Sequence, residues 1–112
     1  MYYVEKTIEI SAAHQLNLPY ESKCRRIHGH NWRITVYCKA QTLNSSGMVT
    51  DFSHIKQVVK DKFDHQYIND VLDINPPAEN IAKWICDHVE NCYRVRVQES
   101  EGNAAEYERE EV

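Results

Sequence analysis

Two stretches in which apolar and polar residues alternate restrict this chain more than any other feature. From Tyr2 to His14 the even positions read Tyr, Val, Lys, Ile, Ile, Ala, His, and the odd ones read Tyr, Glu, Thr, Glu, Ser, Ala. From His28 to Ala40 one face carries His28, His30, Trp32, Ile34, Val36, Cys38 and Ala40, and the other carries Asn31, Arg33, Thr35 and Lys39. Successive strand side chains point to opposite faces, so each stretch reads as a half-buried β-strand. The apolar face of the first strand ends in His14, and that of the second opens with His28 and His30. Leu16 to Ile27 reads as a long loop between them.

After a turn-rich stretch at Asn44–Gly47 the period changes. Phe52, Ile55, Val58, Val59 and Phe63 fall at helical spacing, with Asp51 or Ser53 available as an N-cap. Pro76 and Pro77 mark the next boundary. Ile81, Ile85, His88, Val89 and Cys92 then form the stripe of a second helix, flanked by Trp84, with Glu79 in its first turn. Tyr93, Val95, Val97 and Glu99 predict a third strand whose inner face ends in a carboxylate. Gly102 and Asn103 supply a turn, and a short strand around Ala105–Tyr107 completes a hairpin before an acidic C-terminus. The order strand, strand, helix, helix, strand, strand predicts an α+β domain with its helices on one sheet face.

The 112 residues fit one domain, 1–112, whose modest core points to stabilisation by subunit packing. Asp plus Glu number 17 against 13 Lys plus Arg, a formal net charge of −4, which opposes a general grip on nucleic acid. Lys23, Arg25 and Arg26 form a local basic knot suited to a small anion. Glu5, Lys6 and Glu9 interrupt the N-terminal apolar residues, so no signal peptide or membrane span is expected and the cytosol is the default. The four cysteines, at 24, 38, 86 and 92, show no CxxC pair, and a reducing compartment keeps them as thiols.

His28 and His30 stand two apart on a strand, so both imidazoles leave one face, and a neighbouring strand can bring His14 alongside. Three neutral imidazoles around an open position make a catalytic zinc site, although a His-x-His pair is equally compatible with a structural role. Gly29 between them suggests close backbone approach or an unusual dihedral. Cys24 is the thiol best placed to react, because its cationic neighbours favour a thiolate; an inert loop cysteine is the alternative. Asp64 beside His65 can form a proton relay or a plain helix-end cap. Glu99 can pair with the amide edge of a heterocycle or stand in solvent. Cys38, Cys86 and Cys92 read as packing residues, the last two in a helix, and His54 and His88 as structural.

The runs Ser11-Ala12-Ala13-His14, Cys24-Arg25-Arg26-Ile27-His28-Gly29-His30, Gly47-Met48-Val49-Thr50-Asp51-Phe52, Asp64-His65 with Asn69-Asp70, Asn75-Pro76-Pro77-Ala78-Glu79-Asn80 and Val97-Gln98-Glu99 together resemble the 6-pyruvoyl-tetrahydropterin synthase family. The resemblance spans almost the whole chain. It implies the tunnelling fold, a four-stranded antiparallel sheet with two helices between strands 2 and 3, assembling as a homohexamer of two stacked trimers. By position it implies His14, His28 and His30 as Zn2+ ligands, Cys24 as the catalytic thiol, Asp64 and His65 as its relay, and Glu99 as the anchor of the pterin ring, with these groups meeting between subunits.

Three residues separate Cys24 from His28, as in the 6-carboxytetrahydropterin synthases of queuosine biosynthesis; the animal-type 6-pyruvoyl enzymes have a longer gap. The resemblance therefore implies a cytoplasmic lyase acting on 7,8-dihydroneopterin triphosphate, with 6-pyruvoyl-tetrahydropterin formation as the neighbouring chemistry. A zinc-binding assembly module without turnover is the reading from another class. Pro77 stands where the family usually has Thr, and the segment from Phe52 to Asp64 is shorter than in most relatives.

Overall fold

The computed structural model describes residues 1–110. Four strands, β1 (Tyr2–His14), β2 (His28–Ala40), β3 (Cys92–Ser100) and β4 (Asn103–Glu108), form one antiparallel sheet in the order β1-β2-β3-β4. Helices α1 (Phe52–Phe63) and α3 (Ala78–His88) occupy the β2–β3 connection, as the periodicity predicts. Between them lies a single-turn helix α2 (Ile68–Val71) that the pattern does not announce. The fold is the expected α+β arrangement.

The core lies between the inner sheet face and the helices. Ile8, Ile10, Trp32, Ile34, Val36, Val95 and Val97 from the sheet meet Ile55, Val59, Phe63, Ile81 and Ile85 from α1 and α3. Each such side chain, fully buried, contributes roughly 1.5–3 kcal/mol. Asp51 caps α1 by accepting the Ser53 amide at 2.8 Å, and Ile55, Val59 and Phe63 recur every four residues on its buried face.

Two expectations fail at the end of α3. Its buried residues are Ile81, Ala82, Ile85 and Cys86, a stripe that leaves His88 on the outer side. There His88 stacks on Trp84, with ring centroids 3.8 Å apart, instead of facing the core. Cys92 is not helical. Asn91 adopts φ 61°, and Cys92 begins β3, buried opposite Cys38. A bulge at this point skips Tyr93 in the register, with Tyr37 paired to Arg94 and Cys38 to Cys92. The bulge turns Tyr93 to the outer face, against Tyr3 and Tyr37, and away from Val95. Cys38, Cys86 and Cys92 remain buried packing residues.

The free edge of β1 is covered near its C-terminal end. Asp64 Oδ1 accepts the Ser11 amide (3.0 Å), the His65 amide donates to the Ser11 carbonyl (2.7 Å), and the Ala13 amide donates to the Gln66 carbonyl (3.1 Å). His65 turns the chain into this position with φ 59°, a left-handed conformation uncommon outside glycine.

Candidate metal centre and cleft

The β1–β2 register brings the histidines together. His14 pairs with His28 and Ala12 with His30, so three imidazoles leave one end of one sheet face. Their centroids lie 4.4 Å (His14–His28), 5.3 Å (His14–His30) and 4.9 Å (His28–His30) apart. Trp32 forms the wall behind them, its ring edge-on to His14 and His30, held by an Nε1–H bond to the Ala12 carbonyl at 3.0 Å. Gly29 contributes no special geometry: its φ is not positive, and an added Cβ would meet only the Ala12 carbonyl at an ordinary 3.7 Å.

Two of the rings have their tautomer set from behind. His14 Nδ1 lies 2.8 Å from the Pro76 carbonyl and His28 Nδ1 lies 2.7 Å from the Arg26 carbonyl. A carbonyl only accepts, so each Nδ1 carries the proton and each Nε2 presents a lone pair. Burial holds the His14 imidazole below its ordinary value, with His28 and His30 acting in the same direction against the pull of the Pro76 carbonyl and Glu99. Burial likewise holds His30 down, against Glu99. Neutral rings are the form that ligates a metal.

Glu99 completes the cluster. Glu99 continues the inner face of Val95 and Val97, as the alternation predicts, and sits where the register of β3 against β4 shifts between Gln98 and Ser100. Its Oε1 lies 3.0 Å from His14 Nε2 and 3.2 Å from His30 Nε2. Neither approach has hydrogen-bond geometry, so both buried Nε2 atoms are left without a hydrogen-bond partner. Buried polar atoms are normally satisfied. Ligand atoms of His14, His28, His30 and Glu99 all lie within 4.8 Å of one another. Bonds of about 2.0–2.1 Å in a tetrahedral site put neighbouring ligand atoms about 3.3 Å apart, close to the 3.0 and 3.2 Å from Glu99 to His14 and His30. The donor set fits a metal ion of the zinc type.

A cleft of about 460 Å³ opens beside the cluster, lined among others by Leu16, Tyr20, Cys24, Pro77, Glu79 and Glu99. That volume suits a small heterocyclic ligand. Cys24 lies on a 3-10 turn (Lys23–Arg25) capped by Ser22, whose hydroxyl accepts the Cys24 amide at 3.1 Å. The turn is tied to the end of β1 by the Leu16 amide on the Cys24 carbonyl (2.8 Å) and by Gln15 Nε2 on the Arg25 carbonyl (2.6 Å).

Asp64 and His65 do not line this cleft. They sit together on the β1 edge, with His65 82% exposed and 3.8 Å from the Asp64 carboxylate, too far for a hydrogen bond. Cys24 and Glu99 thus share a cleft, whereas Asp64 is bonded to the β1 edge and His65 points to solvent away from it. Sequence reasoning missed Gln15, Ser22 and the Pro76 carbonyl; only Ser22, a capping residue type two positions before Cys24, left a signal.

A family model described as 6-pyruvoyl tetrahydropterin synthase matches residues 3–110. The chain is 39% identical to a 6-carboxy-5,6,7,8-tetrahydropterin synthase of Synechocystis, over 96% of this chain and 93% of that protein. It is 32% identical to the enzyme of the same name from Bacillus subtilis, over 78% and 64%. The solved 6-pyruvoyl tetrahydropterin synthase of Caenorhabditis elegans superposes with a TM-score of 0.77 at 25% identity, covering 97% of this chain and 96% of that one. With agreement in sequence and in fold over nearly its whole length, this chain belongs to the 6-pyruvoyl tetrahydropterin synthase family.

Proposed function

We propose that the protein is a zinc-dependent 6-carboxy-5,6,7,8-tetrahydropterin synthase, converting 7,8-dihydroneopterin triphosphate to 6-carboxytetrahydropterin, acetaldehyde and triphosphate. The observation that carries this reading is Glu99, which touches both His14 and His30 and lines the cleft that holds Cys24. Glu99 thereby links the imidazole cluster to the cleft that carries a candidate nucleophilic or basic sulfur. The relatives named as 6-carboxy enzymes and the three-residue spacing from Cys24 to His28 favour the carboxy product over the pyruvoyl one.

His14, His28 and His30 would hold the metal, His14 and His28 through the Nε2 that their Nδ1–H bonds leave free. When bound, zinc supplies Lewis acidity that polarises and acidifies substrate hydroxyls. Cys24, as thiolate, removes a carbon-bound proton from the side chain of the pterin. Glu99 accepts hydrogen bonds from the amide edge of the ring and holds the reacting carbons in register. Leu16 and Tyr20 give that volume part of its apolar wall. Asp64 and His65 relay protons from a neighbouring subunit, in a homohexamer of two stacked trimers, which accounts for a pair that faces away from its own cleft. Lys23, Arg25 and Arg26, all exposed on the Cys24 turn and its flank, offer charge to the triphosphate.

The test is to incubate the zinc-loaded protein with 7,8-dihydroneopterin triphosphate, identify products by mass and assay acetaldehyde in parallel. Appearance of 6-carboxytetrahydropterin with acetaldehyde is the expected result. Accumulation of 6-pyruvoyl-tetrahydropterin overturns the carboxy assignment, and no turnover by an assembled, zinc-bound protein overturns the enzymatic one.

A further inference from the structure

The carbonyl that sets the His14 tautomer belongs to a peptide with unusually little freedom. Pro76 has no N–H and a fixed φ, and Pro77 follows it. On the near side, Asn75 accepts the Asn17 amide at its side-chain Oδ1 (2.8 Å), and its backbone carbonyl accepts the Asn80 side-chain Nδ2–H (2.7 Å). On the far side, the Pro77 carbonyl accepts the amides of Asn80 (3.1 Å) and Ile81 (3.2 Å) as α3 begins. Asn80 therefore holds the peptide units on both sides of the Pro76–Pro77 peptide, and Asn75 ties them to the chain leaving His14. His28 has no such support: its Nδ1 partner is the carbonyl of Arg26, an exposed residue two positions earlier.

We propose that Asn75 and Asn80 are positioning residues of the metal centre, fixing the Pro76 carbonyl so that His14 is held as the Nδ1–H tautomer with Nε2 aimed into the cluster. The role rests on the metal-site reading above, but its first consequence, the tautomer of His14, exists without metal. A neighbouring clasp supplies the control. Asn69 bonds Gln15, the residue after His14, twice: the Gln15 amide donates to Asn69 Oδ1 and Asn69 Nδ2 donates to the Gln15 carbonyl, both at 2.8 Å. It tethers the same chain segment without bonding the peptides around Pro76.

Four variants of the full chain separate the roles: Asn80→Asp, which keeps shape and loses the donor; Asn75→Ala; Asn75→Asp, which keeps the acceptor; and Asn69→Ala. Imidazole ¹⁵N shifts of the metal-free protein report the tautomer, chelator competition with Zn(II) reports affinity, and thermal melting of the metal-free form reports structural cost. The expected result is a mixed His14 tautomer and about 10–100-fold weaker Zn(II) binding in Asn80→Asp and Asn75→Ala, the range found when outer partners of metal-bound histidines are lost. Asn75→Asp keeps the single tautomer and its affinity. Asn69→Ala lowers the melting temperature and leaves both other readouts at wild-type values.

A single wild-type tautomer in both Asn80→Asp and Asn75→Ala overturns the positioning role. Equal loss of affinity in Asn69→Ala also overturns it, by showing a general loosening. A wild-type chain that keeps the Nδ1–H tautomer yet takes up no stoichiometric Zn(II) overturns the metal-site reading and, with it, the role at a metal centre.

Discussion

Replacing Glu99 by Gln discriminates between two roles that its position supports. Oε1 stands 3.0 and 3.2 Å from two imidazole nitrogens without bonding either, close to the spacing of ligand atoms on one tetrahedral ion. The amide keeps the volume and removes the charge. Loss of an outer partner of a metal-bound histidine costs about 10–100-fold in affinity, and a carboxylate bound directly should reach at least the upper end. A hundredfold loss is about 2.7 kcal/mol. In melting experiments, metal at 100 times the wild-type Kd stabilises the native protein by about 2.7 kcal/mol, and the same concentration stabilises the variant by only about 0.4 kcal/mol. At about 4 °C per kcal/mol for a domain of this size, a metal-induced shift of about 10 °C falls to about 2 °C. Calorimetry at one fixed pH and protein concentration, with chelator competition alongside, reads both numbers. If Glu99→Gln retains the wild-type shift but loses pterin binding, Glu99 is a ring anchor alone and the tetrahedral argument fails. If both fall, the carboxylate serves the metal in the empty cleft and must leave the imidazoles when a ring enters, a movement that a bulged, unpaired position allows.

Cys24→Ala should keep zinc and assembly while abolishing product, measured by metal content, sedimentation and mass detection; equal loss of zinc removes Cys24 from the catalytic role. His28→Ala should lose metal and activity together, and retained stoichiometric zinc removes it from the ligand set. In the metal-free protein, burial lowers the folded-state values of His14 and His30. The unfolded chain therefore takes up protons first, and stability, complete above about pH 6.5, should decline as pH falls through it towards the folded values. A urea midpoint unchanged between about pH 7.5 and 5.5 contradicts this. Trp32→Phe removes the indole N–H bond to the Ala12 carbonyl and should destabilise the metal-free protein by about 0.5–1.5 kcal/mol in urea titration; no measurable change rejects the wall assigned to Trp32.

The elements written as alternation were legible because one buried face leaves one register open. Tyr2–His14 and His28–Ala40 appear with the predicted boundaries, and the pairing of His14 with His28 follows from them. The misplacement of Cys92 has a definite cause: the spacing from Ile81 runs on past the helix, which ends at His88 with Val89 already extended, and the turn through left-handed Asn91 then starts β3 at Cys92. A bulge hid the outward turn of Tyr93, since the extra residue leaves no period of its own, whereas the inward face of Glu99 was legible from the alternation and only its partners, His14 and His30, were not. Asp64 and His65 were legible as a pair, but which surface they face depends on the β1 edge. The partner of His14 was beyond reach, because a backbone carbonyl 62 residues away carries no side-chain signature.

The burial of sulfur decides what an electrophile meets on this protein. Cys38, Cys86 and Cys92 are at most 3% exposed. Contact with Cys92 pushes the Cys86 thiol well up, contact with Cys38 helps to push Cys92 up to about 12, and Cys38 is lowered by its contact with Cys92 but fully enclosed. Cys24 alone stands partly open, on the wall of the cleft. A maleimide or a spin label therefore has a single address in the native chain, and a covalent fragment library screened against that sulfur samples the cleft without first needing a pterin.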